Sequence, residues 1–110
     1  MDSVVICLTT CPNNEIAAQL ATALVEEQLA ACVNELPGVR STYRWQGKVH
    51  SDQEVLLVIK TTTARLPTLE TRLKALHPYD LPELVAIPVC AGSTAYLDWV
   101  RQNTAINRSS

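Results

Sequence analysis

At 110 residues the chain has the size of one domain, and no Ser/Gly/Pro-rich stretch or charge block divides it, so residues 1–110 are expected to form a single unit. Apolar residues make up 47% and charged residues 18%, a balance that excludes a disordered chain and supplies a packed core. The net charge of −2, with both signs interspersed, leaves no basic stripe for a nucleic-acid backbone, and no apolar run approaches the ~18 residues that cross a bilayer.

Met1-Asp2-Ser3 leads straight into apolar sequence without a basic segment or a small-residue cleavage site, which predicts a cytoplasmic protein. Ser3 to Thr10 is short and rich in β-branched residues, as a strand would be. Cys11-Pro12-Asn13-Asn14-Glu15 then combines a breaker, a capping Asn and an acidic first turn. From Ile16 the spacing is helical, with Leu20 and Leu24 on one face beside small alanines. Ala31 to Leu36 reads as a second strand, interrupted at Pro37-Gly38 by a bulge and resuming at Val39. Tyr43 and Trp45 stand two apart, which puts both aromatics on one strand face. Gln46-Gly47 has the character of a hairpin turn, with Gly47 supplying a positive φ.

The returning strand runs from Lys48 to Thr62, and its unbroken Val55-Leu56-Leu57-Val58-Ile59 fits a strand that is central in the sheet or covered on both faces. Leu66, Leu69, Leu73 and Leu76 mark a second helix, with Pro67 in its first turn and a stop at His77-Pro78. Pro78 to Glu83 is a rigid extended loop, and Leu84 to Cys90 is a fourth strand in which Pro88 requires an edge position. Ser93 can cap a last helix from Thr94 to about Asn103, ahead of a polar tail. The four cysteines are scattered, three of them in apolar strand-like runs, which predicts buried free thiols in a reducing compartment. No Cys-x-x-Cys pair supplies close zinc ligands.

The order β-α-β-β-α-β with one added helix is that of an α+β, ferredoxin-like sandwich, in which two helices cover one face of a four-stranded antiparallel sheet. One sheet face is left open, and the hairpin from Ala31 to Thr62 is longer than two such helices can cover. Tyr43 and Trp45 would then be exposed in a monomer, so self-association is expected. The pattern does not fix the number of subunits.

Several segments now align with a known family. Ala30-Ala31-Cys32-Val33-Asn34, Leu36-Pro37-Gly38-Val39, Ser41-Thr42-Tyr43-Arg44-Trp45-Gln46-Gly47-Lys48-Val49 and Glu54 to Thr61 closely resemble the CutA (divalent-cation tolerance) proteins of bacterial type. His77-Pro78-Tyr79-Asp80-Leu81-Pro82-Glu83-Leu84, Ile87-Pro88 and Tyr96-Leu97-Asp98-Trp99 are similar to the family's later segments, in the same order. The resemblance implies a PII-like homotrimer in which the long hairpins embrace neighbouring subunits. It also implies a role in response to metal ions, with Cu2+ or another divalent cation bound and with no catalytic activity.

The resemblance places His77 where the family's His-Pro-Tyr motif carries its proposed copper ligand, and imidazole suits copper. A cationic cap on the second helix is the plain alternative. The family's cysteine ligand falls at Thr9, which leaves Cys11, ahead of Pro12, as a second candidate metal ligand or an inert thiol. Lys60, Tyr79, Glu83 and Trp45 match positions near the intersubunit clefts, and Tyr43 shares the strand of Trp45. Lys60 could pair with Glu83 or meet an anion, and the aromatics could be buried between subunits. His50 and Asp52 are expected to be solvated. Two rival readings fit the residues less well. A thiol enzyme using Cys11 with His77 as base lacks an orienting Asn or Asp and an oxyanion glycine motif. A PII-like regulator binding a small anionic metabolite lacks a phosphate-cradling loop, since the three glycines lie in separate turns.

Overall fold

The computed structural model describes residues 2–106; Met1 and residues 107–110, the end of the polar tail, lie outside that description. The elements are β1 (Val4–Cys11), α1 (Asn14–Glu26), β2 (Cys32–Trp45), β3 (Lys48–Thr62), α2 (Leu66–Leu76), β4 (Val85–Pro88) and α3 (Thr94–Asn103). A single 3-10 turn at Thr63–Arg65, which no sequence signal marked, joins β3 to α2. The strands pair antiparallel in the order β2-β3-β1-β4, the ferredoxin-like arrangement expected from the element order. Pro88 lies in β4 at the sheet edge, where its missing N–H removes no ladder bond.

Alternation along the strands divides the sheet into two faces. Val5, Cys7, Thr9 and Cys11 of β1, with Val55, Leu57, Ile59 and Thr61 of β3, are buried on one face. Leu20, Leu24, Leu69 and Leu73 pack against it from α1 and α2, each worth about 2 kcal/mol of buried side chain. α1 starts where the sequence says it should: the Asn13 side chain accepts from the Ile16 N–H at 2.9 Å, satisfying a free donor of the first turn. α2 stops at His77, whose extended ψ of 136° is the geometry that Pro78 demands of its predecessor.

The second face is only partly covered. Val100 of α3 packs on Val4 and Ala31 at one end of it. The rest presents Ile6 and Leu8 of β1, Leu56 and Val58 of β3, Leu36 of β2, and Val85 and Ile87 of β4. Leu36, Val85 and Ile87 are 42%, 48% and 48% exposed. β3 is therefore central but covered on one face, so its continuous apolar run serves a packed face and an open one.

β1 ends at Cys11, opposite Val55. Beyond that point β2 and β3 continue alone as a two-stranded ribbon from Val39 to Glu54, which lengthens the molecule to 47 × 31 × 23 Å. A bulge between Leu36 and Val39 marks its start, with Gly38 at φ 78°. The turn at its tip has positive φ at both Gln46 (51°) and Gly47 (79°), the two-residue geometry that matches the strand twist.

Candidate functional site

A broad groove of about 980 Å3 lies where the ribbon leaves the sheet, between Tyr43 and Trp45 on β2, Asp52 and Glu54 on β3, the end of β1, and the loop of residues 77–83. The loop is fixed to this place through one imidazole. His77 is buried; its Nε2 donates to the Thr10 carbonyl at 2.8 Å and its Nδ1 accepts from the Tyr79 N–H at 3.1 Å. The backbone N–H can only donate, so Nδ1 carries the lone pair and Nε2 the proton: a neutral imidazole with both nitrogens engaged.

Tyr79 extends the chain of contacts. Its ring tilts against His77 with centroids 4.6 Å apart, and its hydroxyl donates to Glu54 at 2.6 Å. Burial first, then the Glu54 hydrogen bond, pushes the Tyr79 phenol well above its ordinary range. Glu54 is 8% exposed, and among the described residues its carboxylate forms no ion pair. Glu83 stands at the rim. Partial loss of hydration and, secondarily, the nearby Glu54 charge raise its carboxyl above the usual range. Across the ribbon, Tyr43 donates to Asp52 and stacks on His50 with centroids 5.6 Å apart.

The structure thus brings together Tyr43, Trp45, Tyr79 and Glu83 and leaves out Lys60. Lys60 lies opposite Ile6 on the open sheet face, where its amine donates to Asn34 and stands 3.9 Å from the Cys32 sulfur. The expected pairing of Lys60 with Glu83 is not formed, because the two sit at different ends of the sheet. Cys11 is fully buried, and burial, with smaller contributions from Glu54 and Glu35, pushes its thiol up to about 11. Such a thiol is neutral at pH 7 and is a poor nucleophile or metal ligand. Of the four free cysteines, Cys7 and Cys11 are buried, Cys32 is half-buried and Cys90 is exposed.

Glu54 carries no expectation from the sequence and Asp52 only that of solvation, yet both line the groove. The signal was present in the Gln46-Gly47 turn. A two-residue turn sets Trp45 opposite Lys48, hence Tyr43 opposite His50, Ser41 opposite Asp52 and, at the last pair before the bulge, Val39 opposite Glu54. Asp52 is exposed, as expected, but it is held by Tyr43 rather than merely solvated.

The family model described as CutA1 divalent ion tolerance protein matches residues 5–103. The divalent-cation tolerance protein CutA of Thermus thermophilus is 59% identical over 97 residues, 88% of this chain and 94% of the relative. A solved structure of the Thermus thermophilus protein superposes with a TM-score of 0.91 at 56% identity, covering 93% of this chain and 99% of that one. The crystal structure of CutA1 from Oryza sativa gives 0.93 at 42% identity, covering 96% and 97%.

Two further similarities correct the expectation of a cytoplasmic protein. A structural neighbour from Archaeoglobus fulgidus, 33% identical with a TM-score of 0.89 and covering 92% of this chain and 98% of that one, is described as periplasmic. An Arabidopsis thaliana relative, 46% identical over 91% of this chain, is described as chloroplastic, and the chain spans 55% of its length. No helix among the described residues is long and apolar enough to cross a membrane.

Proposed function

The chain belongs to the CutA1 divalent ion tolerance protein family, and on that premise we propose that it acts in divalent-cation tolerance as a homotrimer that binds its ligand without transforming it. The observation that carries this is the groove, where Asp52, Glu54, Asp80 and Glu83 face a single guanidinium, that of Arg44. None of the four carboxylates forms an ion pair among the described residues. A buried carboxylate without a countercharge is costly, and a cation from outside relieves that cost.

The donors favour a hard cation over copper within one chain. His77, matched to the family's proposed copper ligand, has both ring nitrogens in hydrogen bonds, and the thiol of Cys11, the second candidate, is held neutral, so neither fits Cu2+ as folded. No three His, Cys, Asp or Glu donors converge among the described residues. In this proposal a divalent cation is cargo met by the groove carboxylates, with further oxygen donors from water or a neighbouring subunit. The same negative lining opposes a small anionic metabolite, and the neutral Cys11 thiol opposes a thiol enzyme.

Calorimetric titration with Mn2+ and Cu2+ tests the assignment. Glu54→Gln is expected to weaken Mn2+ binding about tenfold, the effect of one charge-assisted contact of ~1.4 kcal/mol, while Cys11→Ala, buried outside the groove lining, leaves it within about twofold. Tight Cu2+ binding that His77→Ala abolishes would return the site to His77 and Cys11.

A further inference from the structure

The groove has a second property that a metal ion does not use: three aromatic rings line two of its walls. Tyr43 and Trp45 stand on the same face of β2, two residues apart, and Tyr79 comes from the loop opposite; all three line the cavity that holds the carboxylates. In the single chain Tyr43 and Trp45 are each 42% exposed and Tyr79 37%, so ring surface faces the groove and is not spent on the chain's own core. Two hydroxyl–carboxylate contacts, Tyr43 to Asp52 and Tyr79 to Glu54, hold rings and acids in fixed relation to each other.

We propose that this groove binds an organic ammonium ion, with Glu54 supplying the countercharge and the faces of Trp45, Tyr43 and Tyr79 supplying cation–π contact. The proposal rests on the groove being a cation site, and it names a different cation. Aromatic faces carry negative quadrupole charge and attract ammonium groups placed within about 6 Å of the ring, most strongly at tryptophan. A methylated ammonium also has apolar surface that rings cover and water does not, which a hydrated metal ion lacks. Glu54 is more than nine-tenths buried and lines the groove; among the described residues its one hydrogen bond is from Tyr79, which leaves its charge unmatched. The one basic side chain of the lining, Arg44, turns toward the Gly47 carbonyl at 3.4 Å, away from Glu54 at the other end of the ribbon. The raised Glu83 carboxyl fits the same shortage of positive charge. The cavity, about 980 Å3 and open on one side, is ample for a choline-sized cation.

The test is calorimetric titration of the full chain with choline and with 3,3-dimethylbutan-1-ol, its neutral isostere, on material whose oligomeric state has been fixed by light scattering. Choline is expected to bind, and the isostere to bind at least tenfold more weakly. Trp45→Leu and Glu54→Gln are each expected to weaken choline about tenfold or more, and Arg101→Gln, remote from the groove, to change nothing. Circular dichroism melts confirm that each variant is folded, and quenching of Trp45 fluorescence in a Trp99→Phe background gives a second measure if Glu54→Gln proves unstable. Equal binding of the alcohol and choline, or choline binding indifferent to Trp45→Leu, overturns the proposal. Mn2+ binding with no choline binding overturns it while the divalent-cation assignment stands, choline binding with no Mn2+ binding does the reverse, and neither ligand binding removes both.

Discussion

Thr9 is fully buried under the helices, and among the described residues its hydroxyl has no hydrogen-bond partner. Such a group costs on the order of 1 kcal/mol, so Thr9→Val, which keeps the shape and removes the hydroxyl, is expected to raise stability by about that amount in a urea titration. Cys7 and Cys11 lie on the same face of β1, and burial raises each thiol from its ordinary 9.0 to about 11. The sign follows directly. A folded-state pKa above the unfolded one favours the folded chain below pH 9.0, and that advantage is lost as pH rises toward about 11. Melting temperature is therefore expected to fall steeply between pH 9 and 11, by roughly 2 to 3 kcal/mol of stability per thiol, and less steeply in a Cys7→Ala, Cys11→Ala double variant. Tyr79 adds to the same alkaline loss through its own raised phenol. None of this is visible from residue identity alone, since it depends on which side of β1 meets the helices.

Secondary structure was legible wherever a local rule decides it. Asn13 as cap, Pro78 as terminator of α2, Ser93 as cap of α3 and Pro88 as an edge residue each work through their own backbone, so the sequence shows them. The pairing of Lys60 with Glu83 failed because it joins two elements whose separation along the sheet is a tertiary fact. α1 ends through a feature with no sequence mark. Gln28 sits at φ 59°, a left-handed position after the helix that glycine normally fills, and donates its N–H to the Val25 carbonyl at 3.0 Å. Gln28→Gly is expected to stabilise the chain by about 1 kcal/mol, measured as a rise in melting temperature, because the strain on a side chain there exceeds the entropy that glycine adds. Its carbonyl also accepts from Arg65 at 3.3 Å, a backbone contact that the substitution retains.

For the whole molecule the decisive feature is the half-open sheet. Ile87 is paired with Ile6 across the β1–β4 boundary and is 48% exposed, so Ile87→Glu places a charge on the open face at little cost to the single chain. If that face is the contact of a trimer, light scattering is expected to report three chains for the wild type and one for Ile87→Glu, with an unchanged circular dichroism spectrum. A wild type of single-chain mass removes the trimer from the proposal. That the open face exists could be argued from the β-α-β-β-α-β order; that α3 closes one end of it, through Val100 against Val4 and Ala31, could not. The extra residue at Pro37-Gly38 also acts as a parity switch. Before it, even-numbered Leu36 faces Leu56; after it, odd-numbered Val39 faces Glu54, so the odd positions of β2, Tyr43 and Trp45 among them, inherit the side that even positions held. Deleting one residue there would shift the ribbon's frame by half a pleat and exchange those aromatics for Thr42 and Arg44, setting a guanidinium among the groove's acids in place of its rings while every strand kept its place.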